Sequence, residues 1–556
     1  MPTLAYLPKR EQVLALVAYP YDPAIMTTVP GPPKPMGTPA WPLGYPSLFS
    51  YSVPGGIKTV FAATEGFVTG PADPNPHQWF ANIVADGFNF QAVAFAGVDP
   101  AYEARGGQDS GGIIEFSDLE GRWDSWARIL GWDGRTVELW RGKRGAAFST
   151  FIKVAVLTTD GWATLNRAGK SLKLRDRKAR LYGTPLVGAT YAGTGGIDGD
   201  AAAKGRFRPW SVGYVFGVEP FVYDSANLLC QWHSRAVHGV LNLYVGGVAW
   251  TNKGDFPDLA ALIAAAASWV NGEFGTCNAL ATVRYGAVPS HPVRLEGQGD
   301  KHGGSYASSR FDIVRRLATT TGMLPLQDPA EIDTAAFTAL NAADGAECGW
   351  HWDGAISVGD ALDEIMRGCA GWWDIGLDGK LTVARFEAPS GTPDLVLDAT
   401  QPLPGEPSME VDQPPRAKTR VGWQRNYAVL ANNQLTGSAL ASAATQRLFG
   451  EPMRWAQAED TGVRVVHPKA TEPEIFGGYR LEAAAQAEAN RQQALFGQKL
   501  ERWSWPAHVD ALAPLRNITV RVDNWDRYAF GASRSFRCAG FVAGPRAQTA
   551  TLMLVG

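Results

Sequence analysis

One short segment of the sequence has residue types that could bind a metal ion, and it contains Cys230, His233 and His238. Thiolate and imidazole groups are preferred zinc ligands, and a structural zinc site uses four of them. The segment CQWHSRAVH supplies at most three, and no second clean ligand pair accompanies it. We therefore interpret these residues as parts of a strand and a turn.

Other segments could carry chemistry, but none has the spacing that the chemistry requires. Residues 291–304 combine two histidines with two acids in a glycine-rich loop, a composition that is also typical of a solvated loop. Residues 193–200, GTGGIDGD, do not match the GxGxxG phosphate-binding pattern. No serine has nucleophile-elbow spacing, and no carboxylate pair stands out for glycoside hydrolysis, although any two acids can meet in space. We predict no catalytic residue, no cofactor and no metal site.

Charge and hydropathy exclude further classes of protein. The net charge of −3 over 556 residues gives no electrostatic argument for binding nucleic acid or anionic membranes. No stretch approaches the roughly 18 to 20 apolar residues that span a bilayer, so we expect no stable membrane insertion. The N-terminus lacks a signal-peptide pattern, so we expect synthesis in a cytoplasm without export by a secretory signal. The charged run RDRKAR, residues 175–180, is typical of a solvated strand end or an ion-pair surface.

The five cysteines are odd in number and never in CxxC spacing. A disulfide framework is not expected in a chain of this size without a secretory signal. We interpret the cysteines as small buried apolar residues.

Tryptophan is the unusual component of the sequence, with 20 residues beside 62 glycines and 37 prolines. Many turns and large amphipathic side chains favour a β-rich assembly protein over a helical enzyme. We predict that Trp123, Trp126 and Trp140 lie in the core or in a subunit contact. An Asp-Gly pair favours tight hairpins, so we predict such a turn at Trp132, Asp133 and Gly134.

The alternation of apolar and polar residues predicts strands through most of the first 185 residues, with a short helix near residues 119–131. Residues 29–56 are rich in proline and read as a long insertion in a hairpin. Helical patterns appear in the middle third and again, as one long alanine-rich helix, within residues 480–505. Asp255 or Asp258 could cap the helix predicted in residues 255–270.

These elements predict a β-rich, α+β multidomain protein. We divide it into an N-terminal β domain at 1–185, a middle α+β region at 186–395 and a C-terminal β-rich domain with one long helix at 396–556. Strands may cross these borders.

Several segments, in order, resemble the tail-tip (baseplate) hub proteins of long-tailed bacteriophages and of gene-transfer-agent-like particles. The resemblance covers nearly the whole chain, from about Gln12 onward, and is carried by residues 60–97, 111–142, 172–220, 310–322, 370–389, 420–430 and 536–556. Segment 29–56, residues 116–126 and the loop RPWSVG at 208–213 depart from the family pattern. Some relatives hold an iron–sulfur cluster on four cysteines, and the scattered cysteines here do not show that motif.

The resemblance implies a structural protein of the virion. Two β-barrel-like tube domains per chain would alternate around a ring, so that a homotrimer adapts the six-fold tail tube to a three-fold tip and forms the conduit for DNA ejection. Implied partners are the distal tail protein and fibre or other baseplate proteins, with the tape-measure protein as a further candidate and DNA only in transit. The protein would assemble in the host bacterial cytoplasm. Two alternatives stay open: a carbohydrate-binding or glycan-hydrolysing tail component, and a hexameric distal tail protein.

Overall fold

The computed structural model describes residues 12–20, 52–53, 57–85, 90–93, 108–110, 112–118, 121, 123–165, 169–175, 177–322, 325–376, 378–400, 403–508, 517–524, 533–543 and 549–556. Apart from Ser52–Val53, the proline-rich segment 29–56 lies outside these residues. Its interpretation as a hairpin insertion therefore stays a prediction.

The first third of the chain is built mainly from strands. In chain order these are β1 (Gln12–Ala18), β2 (Ser52–Val53), β3 (Ile57–Lys58), β4 (Val60–Ala63), β5 (Phe67–Val68), β6 (Trp79–Asn82), β7 (Phe90–Val93), β8 (Gln108–Ser110), β9 (Ile113–Ser117), helix α1 (Asp124–Ile129), β10 (Thr136–Lys143), β11 (Ile152–Leu165) and β12 (Gly169–Arg175). Burial alternates along β9, where Ile114 and Phe116 are buried and their neighbours are exposed. This two-residue period is what a half-buried strand requires.

The N-terminal sheet has the order β5-β6-β4-β1-β10-β11-β12-β9 and curls back on itself. The chain just after β6 lies beside β4, where the Ile83 N–H donates to the carbonyl of Ala63 at 3.1 Å. The same short stretch reaches β9 at the far end of the sheet. There, Ala85 N–H donates to the Glu115 carbonyl at 2.7 Å and Ser117 N–H donates to the Ile83 carbonyl at 2.8 Å. Pairing at both ends gives a barrel-like sheet in which these edge groups are satisfied.

The middle of the chain alternates strands with short helices. Its strands are β13 (Pro185–Val187), β14 (Trp210–Val218), β15 (Phe221–Asp224), β16 (Leu229–Gln231), β17 (Val237–Val245), β18 (Val248–Ala249), β19 (Thr251–Asp255), β20 (Glu273–Cys277), β21 (Thr282–Tyr285), β22 (Val293–Asp300), β23 (Gly349–Trp352), β24 (Ile356–Ser357), β25 (Gly371–Ile375) and β26 (Leu381–Arg385). Its helices are α2 (Ala179–Tyr182), α3 (Leu259–Ala265), α4 (Arg310–Thr320), α5 (Thr334–Ala343) and α6 (Val358–Arg367).

Local capping explains where these helices begin. Asp258, rather than Asp255, caps α3 by accepting the Ala261 N–H at 2.8 Å. Ser309 and Ser357 cap α4 and α6 in the same way. An oxygen at this position satisfies one of the free N–H groups of the first turn, and losing it costs about 1 kcal/mol.

The last third contains strands β27 (Leu395–Asp398), β28 (Ser408–Gln413), β29 (Lys418–Trp423), β30 (Arg454–Glu459), β31 (Glu474–Tyr479), β32 (Leu500–Ala507), β33 (Thr519–Asp523), β34 (Ser533–Ala543) and β35 (Ala550–Val555). Its helices are α7 (Gly437–Leu440), α8 (Ala443–Gly450), α9 (Thr461–Val466) and α10 (Glu482–Phe496). The C-terminal sheet has the order β27-β33-β34-β35-β32-β28, and β30-β29-β31 form a separate small sheet.

Helix α10 and the small sheet pack against the middle of the chain. Ala485 and Ala489, one turn apart on α10, share a buried cluster with Phe311 of α4 and Leu362 of α6. The chain then returns to the C-terminal sheet at β32. Residues 418–496 are therefore bound to the middle core, while the strands after them complete a different sheet.

The two ends of the chain meet in the fold. Strand β7 pairs antiparallel with β34, from Gly540 opposite Val93 to Ala543 opposite Phe90. One continuous buried cluster also contains side chains of both sheets, including Leu16 and Leu139 from the N-terminal sheet and Trp505 and Leu552 from the C-terminal sheet. The N- and C-terminal sheets are thus joined by backbone pairing and by a common core.

The predicted fold class, a β-rich α+β chain with several cores, is confirmed. Within the described residues, no helix combines the length and the apolar character needed to cross a membrane.

Candidate assembly interface

Helix α1 is anchored at its start by a buried ion pair. The Asp118 carboxylate accepts the Trp123 N–H at 2.9 Å and binds the Lys170 ammonium at 2.7 Å. Both charged side chains are almost completely buried. A buried charge is tolerated only when it is paired and hydrogen-bonded. This contact therefore fixes the first residues of α1 against β12, which carries Lys170.

Three of the predicted tryptophans lie in the core of a single chain. Trp123, Trp126 and Trp132 are 1%, 7% and 3% exposed. The rings of Trp123 and Trp126 lie 5.3 Å apart, and Trp132 meets Trp162 edge to face at 5.1 Å. The Trp132 indole N–H donates to the Trp126 carbonyl at 3.1 Å. Their aromatic rings are therefore buried against the inner face of the N-terminal sheet.

Asp133 and Gly134 occupy the centre of a tight turn that joins α1 to β10. The Arg135 N–H donates to the Trp132 carbonyl at 3.1 Å, and Gly134 has a φ of +69°. A positive φ is the reason for glycine at this position. The element before the turn is a helix, so the turn does not connect two strands of one hairpin. Gly134 N–H also donates to the Thr159 carbonyl at 2.9 Å, which ties the turn to β11.

Trp140 lies apart from the other three tryptophans. It is half-buried and packs on a second cluster, with its ring 5.3 Å from that of Phe148. The Lys153 ammonium covers its ring at 4.9 Å, a cation–π contact. The spacing of the tryptophans in the sequence does not distinguish Trp140 from Trp123, Trp126 and Trp132. In the structure, the alternation of side chains along β10 places Trp140 on the face of the sheet opposite the core that holds the other three.

The sequence interpretation missed the tryptophans that matter most for joining the two ends. Trp503 and Trp505 are both buried in the cluster shared by the two sheets. Their spacing of two, continued by Ala507, is the signal of one buried strand face and could have identified them.

Both end strands of the C-terminal sheet, β27 and β28, have one side without a strand partner among the described residues. Among the residues that the structure describes, no backbone bond satisfies the outer side of β27 or β28. Each edge exposes one large apolar side chain, Val396 at 45% and Met409 at 48%. Both strands also contain acidic residues, Asp398 on β27 and Glu410 and Asp412 on β28, so the edges are not purely apolar. An exposed apolar side chain beside unpaired backbone groups still makes each edge a candidate assembly surface.

The residues that could have formed a metal site serve the core instead. Cys230 is buried, and His238 stacks on Tyr306 at 4.9 Å. His233 accepts the Ser211 N–H at 2.9 Å on Nδ1, so its Nε2–H points to the Asp300 carboxylate at 3.3 Å. Burial lowers the pKa of His233 and keeps it neutral. Across the described ranges, no three histidine, cysteine or acidic side chains come together as metal ligands, and all five cysteines are buried.

The other segments with possible chemistry also have structural roles. In the charged run, Arg175 binds Asp160 at 2.8 Å, Arg177 binds Glu331 and Lys178 binds the buried Asp374. These cations are paired within the chain and do not form a free basic patch. Residues 291–304, interpreted from the sequence as a solvated loop, are mostly strand β22, and its last residue, Asp300, is buried and accepts the Arg235 Nε–H at 2.6 Å. In the glycine-rich segment 193–200, Asp200 accepts the Ser225 hydroxyl at 2.9 Å.

No family model matches the sequence, and no curated protein matches it. Solved structures do match. The tail protein from Neisseria meningitidis MC58 aligns over 84% of this chain and 91% of its own, with 10% identity and a TM-score of 0.35. The prophage tail protein gp18 from Listeria monocytogenes EGD-e aligns over 87% and 91%, with 8% identity and a TM-score of 0.34. A chain in the virion of a native gene transfer agent particle aligns over 63% and 84%, with 12% identity and a TM-score of 0.35. This chain is thus similar to structural components of phage tails and tail-like particles.

Proposed function

We propose that this protein is a structural protein of a phage-type tail tip, a baseplate hub whose copies form a ring around the DNA conduit. The observation that carries the proposal is the joining of two β units in one chain by the β7–β34 pairing and the common core. Because the two β units are joined in this way, we expect each chain to supply two adjacent segments of the ring wall that move together.

The same arrangement supports a trimer. Closed rings are made by repeating one contact around an axis, and three copies with two wall units each give six units. Such a ring would match a six-fold tube on one side and three-fold tip proteins on the other. The implied neighbours are the distal tail protein above and fibre or other baseplate proteins around or below, with the tape-measure protein as a further contact during assembly in the host bacterial cytoplasm.

The two end strands of the C-terminal sheet, β27 and β28, are where we expect neighbouring copies to contact each other. A strand of a neighbouring copy laid along β27 or β28 would satisfy the free backbone groups and cover Val396 or Met409. The net charge of −3 suits a passage for DNA, because a strongly basic lumen would hold phosphates and slow their transit.

Light scattering of the purified protein, followed by averaged images of assembled particles, tests this function. We expect trimeric rings, or monomers that trimerise on tail tips. A six-fold ring would instead identify a distal tail or tube protein, and a stable monomer absent from every particle would refute a structural role.

Charged substitutions locate the contact. Val396→Lys and Met409→Lys should each prevent ring formation, because a lysine on an edge strand opposes pairing with another chain. Val465→Lys is the matched control, since Val465 is 83% exposed on α9, away from both edges. Rings that form equally well with all three variants would show that these edges are not the contact.

A further inference from the structure

A cavity of about 1020 Å³ opens on the middle region, outside the sheets assigned to assembly. Strand β15 and the chain before β14 form one wall, and the end of β23 and residues 425–428 form the other. Its volume is in the range of sites that bind small molecules. Of its lining residues, Trp352 also belongs to the middle core, and none lies on the sheet edges described above.

One lining residue, His351, presents an acceptor that the chain does not satisfy. The Ser211 hydroxyl donates its only proton to the Trp232 carbonyl at 2.8 Å. Its oxygen, 2.8 Å from His351 Nδ1, must therefore accept, so the proton of His351 is on Nδ1 and Nε2 is bare. Across the described residues, no side chain or backbone group hydrogen-bonds to this Nε2.

Burial keeps this imidazole in its neutral form. It lowers the pKa of His351 to about 4, so the bare nitrogen persists at neutral pH. An unprotonated imidazole nitrogen accepts a hydrogen bond from a neutral donor such as a hydroxyl group.

Two charged groups of the cavity lining, Arg425 and Glu364, add a hydrogen-bond donor and a second acceptor. The Arg425 guanidinium lies over the Tyr427 ring at 4.9 Å, and its ion pair with Glu364 is long, at 3.7 Å. Glu364 receives its closer bond, 2.8 Å, from the Trp352 indole. Arg425 therefore keeps donors for a ligand, and the carboxylate keeps a free acceptor site.

The opposite wall contains a partly exposed apolar patch. Phe207 and Val222 are exposed large hydrophobic side chains, and Phe221 lines the cavity with them. Aromatic and aliphatic faces of this kind take the C–H surface of a ligand out of water.

A ligand for this cavity must donate to His351, accept from Arg425 and cover Phe207 with C–H groups. We propose that the cavity is a binding site for an uncharged saccharide, since a sugar ring carries hydroxyl groups that both donate and accept beside apolar C–H faces. The carboxylates of Glu219, Asp353 and Glu364 and the guanidiniums of Arg206 and Arg425 line the same cavity, so the lining carries no net positive charge that would favour a phosphate or another anion. This site goes beyond the proposed tail-tip role and does not depend on it.

Saturation-transfer NMR with maltotriose, chitotriose and rhamnose as probes tests the proposal on the full chain. We expect at least one probe to receive saturation from the wild-type protein. Phe207→Ala should weaken its affinity about three- to tenfold, through loss of the stacking face. Arg425→Gln should weaken it about tenfold or more, through loss of a charge-assisted hydrogen bond.

Val288→Ala is the matched control, because it removes an exposed apolar side chain that does not line the cavity. It should leave the affinity unchanged. The proposal is overturned if none of the three probes binds, or if binding survives both cavity variants. It is equally overturned if Phe207→Ala loosens the contact with another particle protein while no probe binds, because the cavity would then be a protein-docking site.

Discussion

Replacing Trp505 by alanine tests whether the two ends of the chain unfold as one unit. Trp505 is completely buried on β32, within the cluster that unites the N- and C-terminal sheets. Emptying a buried tryptophan position costs about 3–5 kcal/mol, from lost transfer free energy and the cavity left behind. Because the core is common to both sheets, this loss should reach the N-terminal sheet, hundreds of residues away in sequence.

Hydrogen–deuterium exchange read by mass spectrometry measures the effect strand by strand. Amides of β1, β10 and β11 should lose protection together with those of β34 and β35. At about 1.4 kcal/mol per factor of ten, protection should fall roughly a hundred- to several-thousand-fold in both sheets.

Trp373→Ala provides the matched control. Trp373 is equally buried, but it belongs to the middle core with α4 and α6. Its removal should expose amides of those helices while β1 and β10 keep their protection. If Trp505→Ala lowers protection only in β32 to β35, the ends fold independently, and the argument that one chain supplies two joined wall units fails.

Four further substitutions, two of them compared with each other, have expected outcomes. Trp132→Phe keeps a ring in the core but loses the bond to the Trp126 carbonyl, so urea unfolding should report a loss of about 1–2 kcal/mol. Gly142→Ala should lower the melting temperature far more than Gly134→Ala. A Cβ at position 142 would lie 2.1 Å from the Phe151 ring, whereas a Cβ at position 134 meets no atom within 4 Å. At position 134 the only cost is the positive φ, about 1–2 kcal/mol. Equal shifts would contradict this. Asp300→Asn breaks a buried network and should cost about 3–5 kcal/mol at pH 7. Burial alone would raise the pKa of Asp300, but bonds from His233 and Arg235 hold it well below its usual range. The stability difference between wild type and Asp300→Asn should therefore shrink below about pH 4, where the unfolded carboxyl takes up a proton. Denaturant unfolding curves at several pH values measure this difference, and a difference that does not change with pH would contradict the prediction.

Local signals in the sequence were sufficient for many elements. The alternation of apolar and polar residues predicted strands through most of the first 185 residues, and Asp258, one of the two predicted cap candidates, starts α3. The serines before α4 and α6 start those helices in the same local way. The alanine-rich segment that becomes α10 was recognised as a helix. These features depend on residues a few positions apart, so a single sequence contains the needed information.

Non-local contacts were beyond this kind of inference. Nothing near Phe90–Val93 indicates that it pairs with β34, because the partner lies more than 400 residues away and strand pairing depends on the shape of both sheets. The sequence of α10 likewise does not indicate which core the helix packs against. Its small buried residues are compatible with the middle core, where they lie, and with a C-terminal core.

The sequence alone determined that this protein is β-rich, that four of its 20 tryptophans fall within residues 123–140, and that its histidines and cysteines lack the spacing of a metal site. Composition and short-range periodicity are local properties, and these conclusions need no more. Only the tertiary structure decided that Trp123, Trp126 and Trp132 face inward, that the edges at Val396 and Met409 are open, and that Ser211 leaves one nitrogen of His351 bare. Each of these depends on which distant groups meet, because hydrogen bonding and burial are set by neighbours in space.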